Sequence, residues 1–210
     1  MRVFTDEQQA WRDRGEPDGI VRPGDRLEDF ALRDPTGSTV TLSELVSEGL
    51  AVIVFYRGGW CPYCNLTLRT YQSELLPELS RRRVRLVAIS LQTPDASLGT
   101  VEKAELAFTV LSDAAAVVAR RVGIAYTPEQ DLLTQQRELG LDLAEVNDTV
   151  DLPIPTVLIV DADRIVRFID PHPDYTTRTE ILGALERLTA GAGPAQMATA
   201  DGPSTDDNHA

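Results

Sequence analysis

The chain predicts an α/β domain with a central, mixed and mostly parallel sheet flanked by helices, an N-terminal hairpin and an inserted helical and loop segment. Three observations predict it. Ala51 to Tyr56 is an unbroken run of apolar, β-branched and aromatic residues, the pattern of a strand buried on both faces. Val84 to Ser90 and Val157 to Val160 repeat that pattern further along. Between these runs apolar residues recur at helical spacing, so strand and helix alternate, which implies right-handed crossovers and a parallel core.

Taken in order, Thr5 caps a short predicted helix from Asp6 to about Arg14, ended by Gly15 and Pro17. Phe30 to Leu32 and Thr39 to Thr41 alternate around Asp34-Pro35-Thr36-Gly37, a turn signal, and read as a hairpin. A short helix from Ser43 to Glu48 leads into the central strand. After it, Asn65 to about Ser80 is helical in period, with Leu66, Tyr71, Leu75 and Leu79 on the apolar positions. Arg81-Arg82-Arg83 then suits the negative end of that helix. Val84 to Ser90 is a strand, Ser97 to Leu106 a helix introduced by Pro94, Phe108 to Leu111 a strand, and Ala114 to Val122 a helix stopped by Gly123.

Ala125 to Asp151 is acidic, carrying Glu129, Asp131, Glu138, Asp142, Glu145, Asp148 and Asp151 against Arg137 alone. A helix from Pro128 to Leu139 is expected within it. So polar a segment between core elements is expected to be a surface excursion rather than a lid or interface. Val157 to Val160 and Ile165 to Ile169 then pair antiparallel around Asp161 to Arg164, and Thr179 to Leu188 forms a closing helix. From Thr189 on, Gly, Ala, Pro, Ser and Asp dominate without periodicity. The expected organisation is an N-terminal helix and linker over 1–20, one domain over 21–189 and a disordered tail over 190–210.

Composition narrows the function. A formal net charge of −13 argues against a nucleic-acid partner and against an anionic membrane surface. No apolar run approaches the roughly 18 residues of a membrane span. Met1 to Ile20 carries Asp6, Glu7 and Asp13 where a signal peptide needs an apolar core. The expected location is cytoplasmic, where a dithiol is kept reduced.

The chemistry centres on Arg57-Gly58-Gly59-Trp60-Cys61-Pro62-Tyr63-Cys64, where the central strand turns into a helix. With Cys61 at the N-cap and Pro62 at the first helical position, the Cys61 sulfur lies beside unpaired N–H groups and the positive end of the helix dipole. Such an environment lowers a thiol from about 8.5 to roughly 3.5–7.5 and makes it a nucleophile at cellular pH. Cys64, about one turn on, is expected to be the more buried of the two. A zinc site wants about four ligands, and beyond this pair the chain offers only His172 and His209, so no metal or other cofactor is expected. Two structural buried thiols are the remaining alternative. It is disfavoured because strand, Gly-Gly turn and helix start coincide at the pair.

From about Gly24 to Leu188 the chain resembles the thioredoxin superfamily, and within it the peroxiredoxin-like branch of the alkyl hydroperoxide reductase and thiol-specific antioxidant family. The hairpin residues Gly24-Asp25, Phe30, Leu32, Asp34, Gly37, Val40 and Leu42 carry the resemblance, as does the stretch from Arg57 to Cys64. So do Asp170-Pro171, Asp174-Tyr175 and Arg178 in a C-terminal loop, and Ile154-Pro155-Thr156, which is similar to the cis-proline loop facing the dithiol of thioredoxins.

The resemblance implies a thioredoxin-like fold, Cys61 as the attacking thiolate and Cys64 as the resolving thiol. It implies a cis Ile154–Pro155 bond close to the dithiol. The leading function is thiol-dependent peroxidase, in which Cys61 becomes a sulfenic acid and Cys64 condenses with it to a disulfide that an external thiol reduces. Thiol-disulfide exchange and a non-catalytic redox sensor are the alternatives. The implied partners are a small hydroperoxide or disulfide substrate and a thioredoxin-like or low-molecular-weight thiol reductant, with a homodimer left open. Two features depart from the family pattern. Typical peroxiredoxins carry a Thr or Ser three residues before the attacking cysteine and a Pro seven before it, where Gly58 and Val54 stand here. They also carry an arginine at the head of the late central strand, in the region of Ile154-Pro155-Thr156. Arg57 is the nearest cation in sequence and the candidate replacement.

Overall fold

The computed structural model describes residues 9, 10, 13 and 17–191. The expected N-terminal helix therefore falls largely outside the described residues, as does the tail beyond 191; Gln9, Ala10 and Asp13 are helical.

Strands β1 (Ala31–Arg33) and β2 (Thr39–Thr41) form the expected hairpin. The Asp34 carboxylate closes its turn by accepting the N–H groups of Thr36 at 2.8 Å and Ser38 at 2.9 Å. Gly37 supplies the left-handed residue at φ 88°. Thr41 then caps α1 (Leu42–Leu45) in a reciprocal box with Glu44, which delivers the chain into β3 (Ala51–Phe55).

Seven strands make one mixed sheet in the order β2-β1-β5-β4-β3-β8-β9. Its parallel part is the centre, where β3, β4 (Arg85–Ser90) and β5 (Thr109–Ser112) run together. The flanks are antiparallel: β8 (Thr156–Val160) on β3, β9 (Val166–Pro171) on β8, and β1 on β5. Every residue of β3 and β8 is buried, which explains their lack of hydrophobic alternation. Because Phe55 pairs with Thr156 and Thr156 with Pro171, three segments meet at one end of the sheet. They are the exit of β3, the start of β8 and the end of β9.

The long helix after β3 is interrupted. It runs as α2 (Pro62–Thr70), a π-helical turn (Tyr71–Leu75) and α3 (Leu76–Arg81). Pro77 has no N–H for the Ser73 carbonyl, and Leu76 donates five residues back to Tyr71 instead of four. Helix α4 (Pro94–Ala104) begins at Pro94 rather than Ser97, with Thr93 as N-cap and the proline in the first turn, where its missing N–H loses nothing. The expected helix from Ala114 is regular only as α5 (Val117–Val122); Ala115 and Ala116 before it are left-handed. Buried Asp113 spans that irregular turn and accepts the N–H groups of Val118 at 3.0 Å and Ala119 at 2.8 Å.

The acidic insert is more than a surface excursion. Strands β6 (Ala125–Tyr126) and β7 (Leu152–Pro153) pair antiparallel at its base, and α6 (Gln130–Glu138) and α7 (Leu143–Asn147) lie between them. Leu133, Leu143 and Leu152 form a buried apolar cluster of their own, and Trp60 from the cysteine loop packs against it. Glu129, Asp131, Glu138, Glu145 and Asp148 stay exposed, while Asp151 is buried and pairs with Arg120 and Thr127. The charges that suggested an excursion decorate the outer face of a small packed unit.

The chain divides after Thr179. In the second part, α8 (Ile181–Gly191) begins with the Gly183 N–H bonded to the Glu180 carboxylate at 2.6 Å. Among the described residues no helix is long and apolar enough to cross a membrane.

Candidate active site

At the end of the sheet where β3 exits, the chain turns through two glycines that no other residue could replace without displacement. A Cβ on Gly58, at φ 143°, would sit 2.5 Å from Trp60 Nε1. One on Gly59 would sit 1.9 Å from Thr100 Oγ1. In this backbone a Thr or Ser at position 58 would collide with Trp60. The turn is tied on both sides: Gly59 N–H donates to Gln92 Oε1 at 2.6 Å, and Gly59 O accepts from Asn65 Nδ2 at 2.7 Å. The Cys61 N–H closes back on Gly58 O at 3.1 Å. Gly59→Ala should lower stability by about 1–3 kcal/mol through overpacking, and Thr100→Ala in the same chain should restore much of it. Urea unfolding of the single and double variants measures this, and additive effects would refute the contact.

Cys61 is the N-cap of α2 and Pro62 its first residue, as the sequence predicts. Both cysteines are free and both are buried, Cys61 at 3% exposure and Cys64 at 1%, so the expected difference in burial is slight. Their chemistry differs more. A hydrogen bond from the Cys64 thiol holds the Cys61 thiol down at about 6 against the opposing effect of burial. The Cys64 N–H and the Arg57 and Arg178 charges add to the lowering. The Cys61 sulfur closes no capping hydrogen bond, so the helix N–H acts on it as an oriented dipole. The same hydrogen bond, burial and the Cys61 charge push the Cys64 thiol well above its ordinary value. Alkylation by iodoacetamide should therefore label Cys61 first, with a rate that rises through about pH 6 and levels off above it. Site assignment by mass spectrometry across pH 4–9 checks it, on the order of the cysteine range. Labelling of Cys64 first, or a midpoint near that of a free thiol, would reverse the roles.

Arg57 lies against the same loop and is buried at 3% exposure. Its guanidinium carbon stands 5.1 Å from the Trp60 ring centroid and 4.4 Å from that of Tyr175. Tyr63 closes the group, its ring 5.9 Å from Tyr175. Two aromatic faces thus replace part of the hydration the buried cation has lost.

Pro155 is at the expected end of the sheet, lining a small cavity with Tyr56, Cys64, Leu68, His172 and Arg178. The expected cis bond is absent: among the described residues every peptide bond is trans. The chain runs extended from β7 into β8, with Ile154 N–H bonded to Ile124 O at 2.8 Å, and has no tight turn to make there. The ordinary trans preference of an X–Pro bond therefore prevails.

Arg178 supplies what sequence reasoning missed. Its Nη2 lies 3.7 Å from Cys64 Sγ, and its Nη1 donates to the carbonyls of Tyr175 and Thr177, each at 2.5 Å. It lines the same cavity as Pro155, at the head of the late central strand, where the chain itself carries Ile154-Pro155-Thr156. The sequence marked Arg178 only as part of a loop, and nothing local ties it to a cysteine 114 positions earlier. A buried thiol held low, a second buried thiol and two nearby cations can carry out nucleophilic attack on an O–O or S–S bond.

Comparisons with known proteins bear on this site. The AhpC/TSA family model matches residues 23–169. A protein of Mycobacterium tuberculosis strain H37Rv named as a peroxiredoxin is 31% identical over 104 residues, 50% of this chain and 67% of that protein. Among solved structures, the peroxidoxin BcpB of Mycobacterium tuberculosis superposes with a TM-score of 0.63 at 24% identity, over 82% of this chain and 99% of that one. The thiol peroxidase of Chromobacterium violaceum superposes at 0.58 and 17% identity, over 82% of this chain and 88% of that one. At these identities the structures establish the shared fold.

Proposed function

Because the chain belongs to the AhpC/TSA family, we propose that it is a cysteine-based thiol peroxidase whose 21–189 domain carries the whole reaction. The observation that carries this reading is the Cys61 thiol, held at about 6 at a helix start, with Arg57 and Arg178 adding to the lowering. The Cys61 sulfur attacks the terminal oxygen of a hydroperoxide. The O–O bond breaks, Cys61 becomes a sulfenic acid, and the departing alkoxide takes a solvent proton. Arg57 and the N–H groups at the helix start supply positive potential where that oxygen charge develops. Cys64 then attacks the Cys61 sulfur, the S–O bond breaks, and the Cys64 proton leaves with the hydroxide as water. A thioredoxin-like or low-molecular-weight thiol reduces the resulting disulfide, in the cytoplasm. Pro155 helps wall the cavity behind Cys64.

The placement of both thiols in one helical turn favours dithiol exchange as the second reading, with a disulfide in place of the peroxide. The trans Pro155 bond withdraws the support expected from a thioredoxin-like loop. Stopped-flow oxidation of the reduced protein by hydrogen peroxide, an organic hydroperoxide and a protein disulfide in parallel decides between the two. Peroxide oxidation no faster than that of a free low-molecular-weight thiolate, alongside fast disulfide reduction, would replace the first reading by the second. Reduction of neither in turnover would leave the redox-sensor reading.

A further inference from the structure

The Arg57 and Arg178 charges both favour the Cys61 thiolate, yet their guanidinium groups are held differently. The Arg57 guanidinium lies against the Trp60 and Tyr175 rings, whereas that of Arg178 reaches a sulfur, its Nη2 3.7 Å from Cys64 Sγ. The other arm of the Arg178 fork is fixed by the Tyr175 and Thr177 carbonyls. The residues on either side of Arg178 are pinned by a single imidazole. His172 Nδ1 lies 2.8 Å from Thr177 Oγ1, and its Nε2 lies 3.0 Å from Thr179 Oγ1. Asp170 completes the arrangement, 3.1 Å from Nε2 and accepting from Thr179 Oγ1 at 2.9 Å. His172 N–H in turn donates to Pro155 O at 2.7 Å, which ties this clamp to the start of β8.

We propose that Arg178 is the catalytic residue of disulfide closure: its guanidinium stabilises the Cys64 thiolate as that sulfur attacks Cys61, and the His172 clamp on Thr177 and Thr179 positions it. This rests on the peroxidase reading for the identity of the first oxidant, but the closing step is common to peroxide and disulfide chemistry. In that step the Cys64 electron pair forms the S–S bond. The bond from Cys61 to its leaving group breaks, releasing hydroxide from a sulfenic acid or thiolate from a mixed disulfide. The Cys64 proton ends on the hydroxide or in solvent. No further oxidant or reductant is required.

The physical need for such a residue is plain from the site. Oxidation of Cys61 removes the negative charge that opposed ionisation of Cys64, but Cys64 stays buried, and neither cysteine can supply the cation that opposes desolvation of its thiolate. Removing an opposite charge at this range raises a pKa by roughly 1–3 units, and the greater intrinsic nucleophilicity of the more basic thiolate recovers nearly half of the effect. Arg178→Gln should therefore slow closure by roughly 3-fold to 30-fold at neutral pH.

The test uses the full chain with two triggers in single-turnover mixing. The first is hydrogen peroxide, with sulfenic acid formation and its decay to the disulfide followed as separate phases. The second is a small symmetrical aromatic disulfide, from which Cys61 expels one coloured thiolate as the mixed disulfide forms and Cys64 expels the other as it closes, so that the second coloured phase reads closure. Arg178→Gln should slow closure with both triggers and, with excess peroxide, divert Cys61 to sulfinic acid, seen as a gain of two oxygens by mass spectrometry. Thr179→Val should slow closure by a smaller factor and Thr179→Ser should restore it. That pair carries the test if Arg178→Gln does not fold. Closure within twofold of wild type, on the order of the scatter expected for such rates, in Arg178→Gln and Thr179→Val alike would overturn the proposal. A slow first phase with peroxide in the wild type, with closure still dependent on Arg178 after the aromatic disulfide, would sink the peroxidase reading and leave this inference standing.

Discussion

Arg57→Ala should slow the reaction of Cys61 with hydroperoxide by about a hundredfold while slowing its alkylation by iodoacetamide only a few-fold, as loss of one donor to a developing oxyanion does. The two reagents separate two roles of the cation. Both need the thiolate, which the Arg57 charge favours, so both lose some rate at neutral pH. Only peroxide cleavage expels an oxygen anion, and with no hydroxyl at Gly58 the positive charge of Arg57 becomes the main feature of the loop able to meet it. Arg57→Lys should recover part of the rate, since it keeps the charge but not the planar group set against the Trp60 and Tyr175 rings. Equal slowing of both reactions would show that Arg57 acts only by ionising Cys61.

Loss of the second thiol should be more drastic. Cys64→Ser should abolish multiple turnover with any thiol reductant that acts only on disulfides, while still consuming peroxide in a single burst equal to the protein present. Cys61 and Cys64 are the only cysteines of the chain, so no other intramolecular partner can resolve a sulfenic acid at Cys61. With dimedone present an adduct at Cys61 should accumulate, and without it prolonged peroxide should carry the sulfenic acid to sulfinic acid. Sustained turnover by the variant, or an oxidised wild type consisting of disulfide-linked dimers, would refute local resolution.

What was legible in the sequence was what the sequence encodes locally. The buried strand, the two glycines and Pro62 at the start of α2 are contiguous, and together they place Cys61 at the N-cap. The Arg178 contact with Cys64 is not contiguous with anything. It depends on β8 and β9 folding back antiparallel beside β3, which carries the end of β9 to the exit of β3. The insert was misread for a different reason: counting its carboxylates hid Leu133, Leu143 and Leu152, which are too few and too widely spaced to show a period but suffice to close a small cluster around Trp60. The break in the long helix was written in Pro77, an apolar-run interruption that periodicity alone passes over.

Trp60 belongs both to the cysteine loop and to the apolar cluster of the insert. Opening either one strips contacts from the other, so their local unfolding free energies are linked. Truncation of Leu133 or Leu143 to Ala should therefore loosen the cysteine loop, seen as faster amide exchange at Trp60 and Cys61. The insert is thereby coupled mechanically to the dithiol loop through one indole ring, with every reacting atom lying outside it.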